Sequence, residues 1–172
     1  MFGASLFAPI ARAAAAQMTP ISDGAPTAAV FTPQQRALVS ALSERVMPTT
    51  DTPGAIAAGV PEFIEKLLAD WAAPNERVPI VAGLNAIEAH SQAEYALSAD
   101  KVSPQQQDAL LTLAMDGKIP DGAAFFEAFR QLVLTGYFTS EIGITQEREY
   151  LPVPGRYDGA HPYTPGTKVY SS

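Results

Sequence analysis

Two histidines and a scatter of carboxylates are the side chains in this sequence best suited to acid–base work near neutral pH. His161 follows Asp158 by three residues, and Glu141 ends an aromatic run, so a proton-transfer centre on His161 with Glu141 or Asp158 is one conceivable arrangement. His90 stands alone, without a second His or carboxylate at ligand spacing on a shared apolar site, and reads as a solvated or internally satisfied residue. No serine sits in a G-x-S-x-G context. No G-x-G-x-x-G links a strand to a helix, as a dinucleotide fold requires. The chain has no cysteine, which excludes disulfides, thiolate zinc sites, Cys-ligated iron–sulfur clusters and C-x-x-C-H haem attachment within it. The residues thus point away from a self-contained catalytic centre.

The elements that would have to position any site are helical. In Ala123–Gly143, Phe125, Phe126, Phe129, Leu132, Val133, Tyr137 and Phe138 recur at three- and four-residue steps, one broad apolar face that predicts the core helix of a small domain. Thr32-Pro33-Gln34-Gln35 and Ser103-Pro104-Gln105-Gln106 are capping boxes that open two more helices. The first carries Leu38, Leu42 and Val46 and ends at Pro48; the other carries Leu110, Leu111, Leu113 and Met115. A further helix is predicted from Pro61, with Phe63, Ile64, Leu67, Leu68 and Trp71 facing inward. Another is predicted from Glu76 past the break at Pro74-Asn75, with Pro79 in its first turn, Val81, Leu84 and Ile87 inward, and Asp121 as the N-cap of the aromatic helix. The fold class is all-α: a small bundle of about five helices over residues 32–143, with a long irregular C-terminal arm over 144–172. The hydroxyl-rich loop Thr49–Gly54 reads as a surface loop.

The ends of the chain carry other signals. Gly3–Ala11 is a short apolar stretch and Ala13–Ala16 offers a small-residue cleavage site, so residues 1–31 read as a truncated signal-like segment and a linker. No run approaches the ~20 apolar residues needed to cross a bilayer. With 11 Lys and Arg against 18 Asp and Glu, a net charge of −7 and no basic cluster, a nucleic-acid surface is excluded. An apolar fraction of 47% argues against wholesale disorder. The arm holds four prolines, three glycines and four of the six tyrosines. Disordered tails are poor in aromatics, whereas tyrosine is enriched at interfaces, so the arm predicts a docking segment. Fully extended it would reach roughly 90 Å.

Gly136-Tyr137-Phe138-Thr139-Ser140-Glu141-Ile142-Gly143 followed by Tyr150-Leu151-Pro152-Val153-Pro154-Gly155-Arg156-Tyr157, with Ala58-Gly59-Val60-Pro61-Glu62-Phe63-Ile64 upstream, resembles the gluconate 2-dehydrogenase subunit 3 family over about residues 32–163. The resemblance implies a small non-catalytic subunit without cofactor of its own. Its partner would be an FAD-dependent dehydrogenase of the glucose-methanol-choline class acting on gluconate, other sugars or glycosides in the bacterial periplasm. Electrons would pass to haem c in a separate cytochrome c subunit. Family members typically carry a twin-arginine signal and escort the folded flavoprotein through export; this sequence has no Arg-Arg before its apolar stretch. On this reading Tyr137, Phe138, Tyr150, Leu151, Pro152, Val153, Pro154, Tyr157 and Tyr163 meet the partner, and Glu141 and Arg156 supply rim ion pairs. A stand-alone periplasmic helical ligand-binding protein is the alternative from another class.

Overall fold

Both capping boxes form. Thr32 Oγ1 accepts from the Gln35 N–H at 3.2 Å while the Gln35 side chain accepts from the Thr32 N–H at 2.9 Å, opening α1 (Pro33–Val46). Ser103 and Gln106 repeat the exchange at 3.3 and 2.9 Å to open α4 (Pro104–Met115). Between them lie α2 (Val60–Asp70) and α3 (Pro74–Tyr95), and α5 (Gly122–Thr139) follows. These five α-helices and a short π-helical turn, Gly143–Glu147, make the molecule all-α, as expected. The computed structural model describes residues 24–151 and 164–171, with Val153, Gly155, Ala160 and Pro162. Among them no helix is long and apolar enough to cross a membrane.

Helix α5 is the spine. Phe125, Phe129, Val133 and Tyr137, spaced four apart, are all at most 1% exposed, and α5 touches each of the other four helices. Phe125 and Phe129 stack with ring centroids 5.3 Å apart. Leu38, Leu42, Ile64, Ile80, Leu84, Ile87 and Leu110 complete the same core. Each such side chain contributes about 1.5–3 kcal/mol of burial free energy. Bidentate ion pairs brace the helices: Arg36 to Glu65 at 2.6 and 2.9 Å joins α1 to α2, and Arg45 to Asp108 at 2.7 and 2.8 Å joins α1 to α4.

Several expectations need correction. Helix α3 starts at Pro74 rather than Glu76, because the Glu76 carboxylate reaches back to the Ala73 N–H at 2.7 Å. Pro79 therefore lies in the second turn, where it has no N–H to offer the preceding turn. Ile80, not Val81, is the buried member of that stretch. Trp71, expected inside, is 45% exposed, and Met115 is 50% exposed. Asp121 occupies the N-cap of α5, but with φ of 57° and no side-chain bond to the helix.

The two flanks also differ from their expected character. At the end of the segment read as a linker, Phe31 is 3% exposed and belongs to the core. The arm is not fully extended, since Glu149–Tyr150 pairs in parallel with Tyr170–Ser171 and the chain returns to its own root.

Candidate functional site

The expected interface residues divide into three groups. Tyr137, placed at the interface by its position in the motif, is a core residue at 1% exposure. Its hydroxyl donates to the Pro53 carbonyl at 2.8 Å and lies 3.4 Å from Thr52 Oγ1. The helical period decides this, because position 137 continues the stripe of 125, 129 and 133. Phe138 is half-buried, edge-on to Tyr137 at 5.3 Å, with the Arg148 guanidinium 4.7 Å from its ring centroid. It packs against the core of its own domain.

Glu141, Tyr150, Leu151 and Val153 are exposed, the last three by 52%, 36% and 76%. Tyr170, one of the arm's four tyrosines and on the returning strand, is 47% exposed, and the neighbouring Val169, not foreseen, is 69% exposed. Pro152, Pro154, Arg156, Tyr157 and Tyr163 lie outside the described residues, as do Asp158 and His161. His90 sits half-buried on α3. Among the described residues no group of three or more His, Cys, Asp or Glu could hold a metal ion.

The motif glycines have steric reasons. A Cβ on Gly143 would stand 2.0 Å from the Tyr137 carbonyl oxygen, so only glycine lets the π-helical turn fold back onto the end of α5. The Ser140 hydroxyl secures that turn, donating to the Tyr137 carbonyl at 2.7 Å and accepting from the Gly143 N–H at 3.0 Å. A Cβ on Gly136 would stand 2.7 Å from Phe63 Cδ1, so its absence seats α2 closely against α5.

The hydroxyl-rich loop is part of the same joint. Glu44 Oε1 accepts from the Thr49 N–H and hydroxyl at 2.9 and 2.8 Å, and Oε2 from the Ile56 N–H at 3.0 Å. Burial alone would raise the Glu44 carboxyl, but these hydrogen bonds outweigh it and hold it below the usual range. Thr52 then donates to Glu147 at 2.7 Å, so the loop grips both Tyr137 and the root of the arm.

Sequence reasoning missed an open trough along the crevice between α2 and α5. One section, of about 950 Å³, is floored by Ala58, Gly59 and Gly136 and walled by Phe63, Leu67 and Trp71. A second, of about 410 Å³, continues past Leu67 and Trp71 toward Ala128 and Leu132. The signal lay in α2 itself. Phe63, Leu67 and Trp71 form an apolar stripe beside that of Val60, Ile64 and Leu68, more apolar arc than one core contact needs.

The molecule is thus a helical domain whose prominent features are an open apolar trough and an exposed arm rather than an enclosed polar cleft. The family model described as gluconate 2-dehydrogenase subunit 3 matches residues 33–155, well over half the chain, and the chain belongs to that family, among the subunits of a dehydrogenase complex. No curated protein and no solved structure gives a significant match.

Proposed function

We propose that the chain is the small, non-catalytic subunit of an FAD-dependent dehydrogenase of the glucose-methanol-choline class. It binds and stabilises the flavoprotein and accompanies it in export to the periplasm by the twin-arginine route. Family membership supports the dehydrogenase complex. The observation that carries the docking role is the exposure of Tyr150, Leu151, Val153 and Val169 on one arm, a density of apolar side chains that marks surfaces awaiting a partner.

FAD belongs to the partner in this reading, and haem c to a third, cytochrome subunit; a chain without cysteine cannot attach haem c itself. A subunit that binds only the folded flavoprotein stabilises it by mass action, about 2.7 kcal/mol when present at a hundred times its dissociation constant.

The test is truncation after Arg148, which keeps the turn packed on Tyr137 and removes the exposed part of the arm. The truncated chain should keep its helical circular dichroism but no longer co-purify the flavin absorbance of a co-expressed dehydrogenase. Undiminished co-purification would sink the docking role.

A further inference from the structure

The trough runs alongside α2 from Gly59 to Ala72 and alongside α5 from Ser140 back to Ala128, the two helices passing in opposite directions. At 1.5 Å per residue its length is about 20 Å. Its polar inventory decides what it can hold. The Thr139 hydroxyl donates to the Thr135 carbonyl at 2.7 Å, and the Ser140 hydroxyl is engaged with Tyr137 and Gly143. The Lys66 ammonium is tied to Asp70 at 2.7 Å. These groups are not free to orient a polar small molecule. Glu62 and Glu141 are different: both are exposed at one end of the trough, and neither makes a side-chain hydrogen bond or ion pair among the described residues. Of the other polar lining groups, Glu76 accepts from the Ala73 N–H at 2.7 Å and Gln131 donates to Thr135 Oγ1 at 3.3 Å; the rest of the lining is mainly apolar, and Trp71, 45% exposed, borders both sections.

Its two long sides are helices whose backbone groups bond internally, and the third lining, Gly24, Ala25 and Pro26, has no N–H at Pro26 and engages the Ala25 carbonyl with Lys66 Nζ at 3.4 Å, so neither offers an edge to an extended strand. An occupant must satisfy its own backbone, and a helix does so. About 20 Å accommodates some thirteen residues, nearly four turns. We infer that the trough seats one amphipathic helix of the flavoprotein partner, with an apolar stripe on Trp71, Leu67 and Phe63 and Lys or Arg at the end beside Glu62 and Glu141.

This inference rests on the proposed function and extends it. Glu141 is two residues from the turn that launches the arm, so trough and arm form one continuous docking band. Exposed aromatic anchors of this kind dominate binding energy at protein interfaces.

The experiment co-expresses the full-length chain, carrying a photo-crosslinking residue at position 71, with the FAD-dependent dehydrogenase, and maps the crosslinked peptide. A crosslink to a helical segment of the dehydrogenase containing Lys or Arg supports the inference. A crosslink to residues 1–23 of this chain, to a second copy, or to nothing while the complex persists overturns it. In parallel, Glu62→Lys with Glu141→Lys should weaken flavoprotein binding at least tenfold at low salt, with helical content unchanged. An unaltered affinity rejects the cationic helix. Trp71→Glu, at a half-exposed site, should give a comparable loss. If the unmodified chain captures no flavoprotein at all, the proposed function itself fails; if it captures flavoprotein but the trough variants bind normally, only the trough assignment fails.

Discussion

Residues 24–32 and the described residues of 148–171 both lie outside the helices, and they are held in opposite ways. The N-terminal strap is fixed by charges and core contacts. Asp70 accepts from the Thr27 N–H at 2.9 Å and from its hydroxyl, while Lys66, itself buried, closes the cluster. Glu65, 7% exposed, accepts from Arg36 and, more weakly, from the Phe31 N–H at 3.4 Å. The Phe31 ring is in the core. The C-terminal arm has a secure root, then a two-residue strand pair and a run of exposed apolar side chains. The strap buries its one aromatic side chain, whereas the arm leaves several apolar side chains exposed, which is what supports the docking role proposed for it.

The largest effect should come from Phe31. Replacing it with Ala should cost the isolated chain about 3–4 kcal/mol, as for other buried Phe truncations. Val153→Ala, at 76% exposure, should stay within about 0.5 kcal/mol. Urea titrations of the two variants would break the comparison if their losses were similar. In the flavoprotein complex Val153 is expected to matter directly and Phe31 only through folding, so Val153→Ala should weaken capture where Phe31→Ala does not beyond its effect on folding.

Acid sharpens the comparison next. The Lys66 hydrogen bond, then those from the Thr27 side chain and backbone, lower the Asp70 carboxyl from 3.8 to about 2. The folded-state value lies below the unfolded one, so the stabilisation is fully present above about pH 4 and is lost as pH falls toward about 2. Thermal melts of Asp70→Asn should be lower than the parent's at pH 6, and the gap should close between about pH 4 and pH 2. A constant gap across that range would show that Asp70 does not hold the strap through its charge.

The contrast also explains what the sequence could reveal. Helices α1 and α4 were legible because a capping box is local, with donor and acceptor three residues apart. The spine α5 was legible because one period runs from Phe125 to Phe138. The strap was not, since Thr27 and Phe31 carry no period and their anchors, Glu65 and Asp70, resemble the polar face of α2. Tyr137 was misplaced because its motif position outweighed its period. The trough escaped notice because an apolar stripe facing a groove and one facing a core share the same spacing; only the neighbouring helix settles which is which.

A smaller change probes the joint between domain and arm. Tyr137→Phe keeps the ring and removes the hydroxyl that donates to the Pro53 carbonyl, which should cost about 1 kcal/mol and loosen the 49–54 loop. The loss should be visible as a lower urea midpoint with unchanged slope. A loss of several kcal/mol would mean that the loop, and not the core, supports the end of α5.

The smallest effect, and the most local, belongs to Thr52→Val. This substitution preserves shape and deletes the donor to Glu147. Glu147 closes the π-helical turn, whose last bond runs from the Arg148 N–H to the Gly143 carbonyl at 3.1 Å; the next amide, Glu149, donates to Val169 at 3.0 Å. If the arm opens as a unit about this root, losing one hydrogen bond of about 1 kcal/mol should speed amide exchange at Arg148 and Glu149 roughly fivefold. The amides of α5 should be untouched, because Tyr137 keeps its bond to the Pro53 carbonyl and its core packing when the 3.4 Å contact with Thr52 is lost. Acceleration spreading into α5 would mean that arm and spine open together, and that the arm is part of the domain rather than a segment hinged to it.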